Sequence, residues 1–208
     1  LLEHTSLQYP PLVKHKGATI WFTGLPSSGK STIAREIYHR LLDRGCATEL
    51  LDGAEVRESL SRGLGFSRED REENVRRIGF VAKLLSRNGV IAICAAVSPY
   101  RATRDEVRRN TMSFVEVYVT CPVEVAESRD TEGLYARARR GELRDFAGVD
   151  GTYEPPLAPE VVIDTSREPV EEGVWKVLRT LEQLGIVGAP HQPADQEIDL
   201  WKRLGSRG

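Results

Sequence analysis

No stretch of this 208-residue chain is long enough to cross a bilayer. The longest uninterrupted apolar run, Val90 to Val97, falls far short of the roughly 18 residues that a membrane helix needs. Secretion is equally unmarked: Leu1-Leu2-Glu3-His4 carries neither the basic n-region nor the apolar h-region of a signal peptide. It carries no initiator methionine either, so the chain is expected to be trimmed or excised from a longer one. Cysteine is sparse. Cys46, Cys94 and Cys121 form no C-x-x-C pair, and two of them lie in or beside apolar strand-like runs, which predicts buried thiols in a reducing, cytoplasmic compartment rather than disulfides. The four histidines, His4, His15, His39 and His191, are scattered without metal-ligand spacing, so no zinc site is expected. Nor does one sign of charge dominate: 29 Lys and Arg against 31 Asp and Glu leave −2, which gives no general attraction to nucleic acid or to an anionic membrane. There is no internal repeat.

What remains is the composition of one soluble globular domain, 40% hydrophobic and 29% charged, with short appendages. Its organising stretch is Gly24-Leu25-Pro26-Ser27-Ser28-Gly29-Lys30-Ser31-Thr32, set between the apolar run Ala18 to Thr23 and an amphipathic run beyond. The spacing G-x-x-x-x-G-K-[ST] has a mechanical reason. Small residues let successive backbone N–H groups curl round a phosphate, and a helix N-terminus adds its partial positive charge. Lys30 then supplies a full charge to the β- and γ-phosphates, and Ser31 offers its hydroxyl to a bridging magnesium ion. A glycine turn that merely joins strand to helix is the alternative, and the legible strand and helix on either side argue against it.

Elements alternate along the chain. Ile33, Ile37, Tyr38, Leu41 and Leu42 recur at helical spacing, with Gly45 as the stop. Thr48 to Leu51 is a short strand that delivers Asp52-Gly53 at its end, and Ala54 to Leu60 a short helix. Ser67 caps a helix from Arg68 to Asn88, whose apolar face is Val75, Ile78, Val81, Ala82 and Leu85. Val90 to Val97 shows no alternation, as expected of a strand covered by helices on both faces. A helix to about Asn110, a strand at Phe114 to Val119, a helix after Pro122, a strand at Val161 to Ile163 and a helix at Val170 to Leu184 complete the pattern. This predicts a three-layer, doubly wound α/β fold with a mostly parallel sheet and ligands at the carboxyl ends of the strands. The expected divisions are an N-terminal arm (1–16), a phosphate-loop kinase domain (17–185) and a C-terminal tail (186–208) with a small amphipathic patch around Leu200 and Trp201. The long Gly-, Pro- and Arg-rich segment 130–159 is expected to form a functional lid.

The strand ends are therefore where chemistry is sought. Val90 to Ser98 offers no magnesium-organising aspartate, which leaves Asp52 as the best carboxylate, to hold a metal-bound water or to take a proton from an attacking hydroxyl. It could equally cap the helix that follows, and the two roles can coexist. Arg71 and Asn74 are three apart on one predicted helix and share a face, and Arg57 lies close to Asp52 in sequence. Together they suggest a pocket for an anionic acceptor. A guanidinium fork suits phosphate or sulfate, although most of the arginines between Arg57 and Arg109 are expected to be solvated helix faces. Phe66, in a glycine-flanked loop, either stacks on a base or anchors its own loop.

Gly24 to Thr32, Leu51-Asp52-Gly53, the stretch from Leu64-Gly65-Phe66 to Arg71 with Asn74 to Gly79, Ser98-Pro99-Tyr100-Arg101, and Gly133-Leu134-Tyr135 with Phe146 resemble the adenylylsulfate kinase family, over about Lys16 to Leu184. The resemblance implies transfer of the γ-phosphoryl group of ATP, with Mg2+, to the 3′-hydroxyl of adenosine 5′-phosphosulfate, in sulfate assimilation. It further implies a homodimer and a possible ATP sulfurylase partner or fused domain. Carried over, Lys30 and Asp52 are catalytic, with Asp52 near metal and acceptor hydroxyl. Arg57, Arg71, Asn74 and Arg101 belong to the acceptor site, and Phe66 and Phe146 match the aromatics that sandwich its adenine. Ser98 matches a serine described in the family as a phosphoserine intermediate. No base is evident beside it and in-line transfer needs no covalent stop, so Ser98 is expected to donate a hydrogen bond to the substrate. Two positions depart from the family pattern: Ala54 stands where a second aspartate is usual, and Glu132 where a lysine often precedes Gly-Leu-Tyr. The alternatives left open are a nucleotide-binding module with little turnover and a kinase for another small hydroxyl acceptor.

Overall fold

Six consecutive buried residues form β1 (Ala18–Thr23), the middle strand of the sheet in the computed structural model, which describes residues 15–188. Burial on both faces is what an unbroken apolar run demands, and it is met here because every neighbour is parallel and helices cover each side. The other strands are β2 (Thr48–Asp52), β3 (Ile91–Ala95), β4 (Phe114–Thr120) and β5 (Val161–Asp164), in the order β2-β3-β1-β4-β5. All four pairings are parallel, with Ile20 opposite Ile93 on one side and Val115 on the other.

On one face, α1 (Lys30–Asp43) and α7 (Val170–Gln183) press Ile33, Ile37, Leu41, Val174, Val177 and Leu178 against Ile20 and Phe22. On the other, α3 (Arg68–Arg87) and α4 (Arg101–Asn110) bring Val75, Ile78, Ala82 and Val107 onto Trp21, Ala92 and Cys94. The expected three-layer doubly wound architecture is the one observed. Short helices α2 (Gly53–Glu58), α5 (Val123–Ser128) and α6 (Leu134–Arg139) lie at the strand ends, α6 inside the segment expected to be a lid. Its aromatic residues Tyr135 and Phe146 form a separate small core with Cys121, Ala126 and Ala138. All three cysteines are free and buried, and burial pushes the Cys94 thiol far above its ordinary value.

Element ends move by a residue or two from the expected ones, for local reasons. The third strand stops at Ala95, short of Val97, because the Val97 carbonyl is taken by the Thr23 hydroxyl at 2.9 Å and Ser98 turns the chain with a left-handed φ of 40°. Ser67 caps α3 as expected, its Oγ accepting from the Asp70 N–H at 3.1 Å. At the carboxyl end, Ile186 and Val187 are buried in the main core, and the Lys16 N–H donates to the Ile186 carbonyl. The arm up to residue 14 and the tail from residue 189, with the Leu200 and Trp201 patch, lie outside the described residues.

Gly79 lets α3 approach α4: a Cβ there would stand 2.6 and 2.9 Å from the two methyls of Val107, a stiff β-branched neighbour. Overpacking of this kind costs about 1–3 kcal/mol, more than the roughly 1 kcal/mol that alanine gains over glycine in a helix. Gly79→Ala is therefore expected to lower the melting temperature by about 2–5 °C in thermal unfolding; an unchanged or higher value would show that the two helices separate without cost.

Candidate active site

The phosphate loop is held open by glycine. Gly24 has φ 152°, and a Cβ on it would lie 2.1 Å from the Val119 carbonyl oxygen, so no side chain fits where β1 hands over to the loop. Gly29, at φ 98°, is the residue from which α1 starts. Within the loop the Lys30 ammonium is folded back, donating to the Leu25 carbonyl at 2.6 Å and to Ser28 Oγ at 3.5 Å. Burial lowers its pKa to about 8, against the pull of Cys121 and Asp52, which raise it. A charge kept out of water with only a carbonyl and a hydroxyl for company is poised for an anion.

Asp52 closes β2 and faces the loop. Its Oδ1 accepts from Ser31 Oγ at 3.3 Å and from the Ala54 N–H at 3.2 Å, so it caps α2 and touches the loop at once. Its Oδ2 accepts from Arg35 Nη2 at 3.3 Å. Hydroxyl and carboxylate oxygens side by side suit a hard divalent cation.

Arg57, Phe66 and Arg71 form one cluster, with Asn74 one turn beyond Arg71 on α3. The Arg57 guanidinium lies 4.5 Å from the Phe66 ring centre and that of Arg71 5.4 Å from it. Arg57 donates to the Gly65 carbonyl, and Arg71 donates through Nε to the Phe66 carbonyl and through Nη2 to the Asp145 carbonyl, the last two both at 2.8 Å. Burial, and for Arg57 next the charge of Arg71, holds both below the ordinary guanidinium value. Asn74 is buried, and its Oδ1 has no hydrogen-bond partner. Orphaned buried acceptors are rare enough to mark a ligand's place. Phe66 is 45% exposed, whereas Phe146 is 5% exposed and sits edge-on to Tyr135 at 5.0 Å.

Ser98 is placed differently from the other candidates. Its hydroxyl accepts from Trp21 Nε1–H at 3.0 Å and donates to the Ala96 carbonyl at 3.3 Å, both inside the core, so donating to a substrate would require giving up the Ala96 carbonyl. Arg101 opens α4. Its N–H donates to Glu154 Oε2 at 2.8 Å, while its Nε, 3.8 Å from the same carboxylate, makes no hydrogen bond.

Several functional contacts have no motif behind them. Tyr135 Oη donates to the Pro26 carbonyl at 3.0 Å, which ties segment 130–159 to the phosphate loop, and Asp130 accepts from the Tyr135 N–H. Thr165, at the end of β5, donates to the Ser28 carbonyl and accepts from Arg129. Arg35 lies one helical turn beyond Ser31, and the i, i+4 spacing is the signal that could have found it.

A parallel sheet whose central strand ends in this loop, with a serine and a carboxylate beside it, defines a phosphate-loop kinase. A family model described as adenylylsulphate kinase matches residues 16–164. The adenylyl-sulfate kinase of Rippkaea orientalis is 52% identical over 86% of this chain and 98% of its own length. A probable bifunctional SAT/APS kinase of Sorangium cellulosum is 52% identical over 82% of this chain and 29% of its own. Among solved structures, the Mycobacterium tuberculosis APS kinase in complex with AMPPNP and APS superposes with a TM-score of 0.77 at 38% identity, covering 81% of this chain and 99% of that one. The chain belongs to the adenylylsulphate kinase family.

The state of Lys30 makes a pH prediction. An anionic phosphate favours the protonated ammonium and raises its pKa, so affinity is full below about pH 8 and falls as pH rises through it, approaching tenfold per unit. Calorimetric titration with ADP near pH 9, in buffers of different ionisation enthalpy, is expected to show uptake of close to one proton; no uptake would place the Lys30 titration elsewhere.

Proposed function

We propose that this protein transfers the γ-phosphoryl group of ATP to the 3′-hydroxyl of adenosine 5′-phosphosulfate, yielding 3′-phosphoadenylyl sulfate and ADP in sulfate assimilation. The observation that carries the reading is the second cluster: two desolvated arginines that suit an anionic group, and beside them on α3 a buried amide oxygen, Asn74 Oδ1, that still lacks a hydrogen-bond donor such as a ligand hydroxyl or amine.

Phosphoryl transfer needs position and charge more than covalent chemistry. Backbone N–H groups of residues 24–32 hold the triphosphate, and Lys30, leaving the Leu25 carbonyl, neutralises its outer oxygens. Ser31 and Asp52 are the residues that would hold Mg2+, which when bound supplies the charge that offsets the phosphates. Asp52 is also the carboxylate available to accept the proton of the attacking hydroxyl. Arg57 and Arg71 grip the phosphosulfate end, Asn74 Oδ1 accepts from the acceptor, Arg101 flanks it, and Phe66 offers a ring to the adenine. Phe146 backs this wall from within the lid core, and Ser98 shapes the turn opposite through its two inward bonds. The lid, fastened to the loop by Tyr135, excludes water from the transferring group.

The same reading covers the chain's setting. No helix among the described residues is long and apolar enough to cross a membrane. A cytoplasmic place, self-association as a homodimer and a sulfurylase as partner or fused domain are proposed with the function. The three divisions at residues 16 and 185 and the lid at 130–159 remain part of it.

Release of ADP by purified protein, followed in a coupled assay, is expected to require both ATP and adenosine 5′-phosphosulfate; turnover indifferent to the sulfated nucleotide would overturn the proposal. Lys30→Ala is expected to abolish transfer. Arg71→Ala is expected to raise the KM for the acceptor by about 10- to 100-fold, the 1.5–3 kcal/mol of a hydrogen bond to a charged group, with the KM for ATP little changed.

A further inference from the structure

Both oxygens of Asp52 are occupied, and by unequal partners. Oδ1 is shared by the Ser31 hydroxyl and the backbone N–H of Ala54, groups fixed by the phosphate loop and by α2. Oδ2 is held by Arg35 Nη2 at 3.3 Å, a long hydrogen bond from a side chain that is 60% exposed, to a carboxylate side chain only 13% exposed. Position 54, which follows Asp52 by two residues, carries a methyl group and adds no negative charge. The carboxylate that would meet a divalent cation already carries a guanidinium.

We infer that Arg35 is a positioning residue that occupies the cation's place on Asp52 and must leave it before a divalent ion can bind. The inference rests on the magnesium role proposed above for Ser31 and Asp52. Its physical content is a competition. A cation approaching Oδ2 meets a like charge within a few ångströms, and Arg35 is the one ligand of Asp52 able to swing into solvent, because the others belong to rigid backbone or to the loop. The bare ion is thereby disfavoured, and an ion that arrives already bound to phosphate, carrying negative charge with it, is favoured. Arg35 thus biases the site against empty loading and keeps Asp52 oriented in the meantime, its carboxylate pinned from both sides.

The test is Mn2+ binding to the full chain, read by the loss of the free-ion electron paramagnetic resonance signal, in the wild type and in Arg35→Gln, each with and without ADP. Removing one positive charge beside the ion is expected to tighten bare Mn2+ binding about three- to tenfold, the scale of a unit charge pair at close range in a solvated site. Asp52→Asn added to Arg35→Gln is expected to erase the gain, which a merely structural loss at position 35 would not produce. Equal affinity for bare Mn2+ in wild type and Arg35→Gln, or no detectable ion in either, with Mn2+–ADP bound by both, would overturn the role of Arg35 and leave the proposed function standing. Failure of both proteins to bind Mn2+ with ADP would overturn the magnesium role and, with it, this inference.

Discussion

The buried guanidinium of Arg104 is the interaction on which the geometry of the catalytic end depends. It is 2% exposed and donates three ways: through Nε to Glu116 Oε1 on β4, through Nη1 to the Ser98 carbonyl after β3, and through Nη2 to the Glu154 carbonyl where the lid rejoins the domain. Glu116 is itself buried and takes a second arginine, Arg108, on its other oxygen. A buried pair of this kind adds little net stability over an apolar substitute, but loss of one partner would strand the other charge out of water. Its value here is geometric. One planar fork fixes the turn that carries Ser98 and Arg101, the strand beside the phosphate loop and the far hinge of the lid in a single arrangement. Tyr153 extends the brace: its hydroxyl lies 3.0 Å from Thr23 Oγ1, the residue just before Gly24, and the Thr23 hydroxyl in turn holds the Val97 carbonyl.

Segment 130–159, anchored at Glu154 in this way, touches both the phosphate loop and the arginine cluster. Tyr135 reaches the phosphate loop at Pro26, its ring packs on Phe146, and the residue before Phe146, Asp145, offers its carbonyl to Arg71 of the opposite cluster. These links are a hydrogen bond, an aromatic contact and a charge-assisted hydrogen bond, each individually modest. They run in series. Arg71, Asp145, Phe146, Tyr135 and Pro26 are thus joined in one chain of contacts from the arginine cluster to the phosphate loop.

The fold was legible in the sequence because its signals are local. Five apolar runs separated by helical periodicity, a glycine-stiffened loop and a serine cap leave little choice but parallel strands with helices on both faces. Asp52 was legible for the same reason, being the residue at a strand end, and its capping reading is met: Oδ1 accepts from the Ala54 N–H of α2 and also from the Ser31 hydroxyl. What escaped is contact between distant backbone and side chain. Pro26 with Tyr135, Arg71 with Asp145 and Thr165 with Ser28 are 109, 74 and 137 residues apart and use carbonyl groups that every residue possesses, so no residue type announces them. Ser98 illustrates the converse: the motif placed it at the crevice, yet its orientation is set by Trp21, 77 residues away.

The arginines show how structure sorts what composition cannot. On α3 alone, Arg68 pairs with Glu72, Arg76 with Glu72 and Glu106, and Arg77 with Glu73, all on exposed faces where such pairs are worth little. Arg71, on the same helix and identical in chemistry, has no carboxylate ion pair among the described residues; its bonds go to two carbonyls, and the same holds for Arg57 and the Gly65 carbonyl. A guanidinium left in low dielectric with only dipoles for partners keeps an unmet demand for negative charge, whereas one beside glutamate does not. That asymmetry, rather than the number of arginines, is what sets Arg57 and Arg71 apart from the solvated arginines of α3. Both guanidinium groups lie over one aromatic ring, Phe66, whose π face attracts a cation.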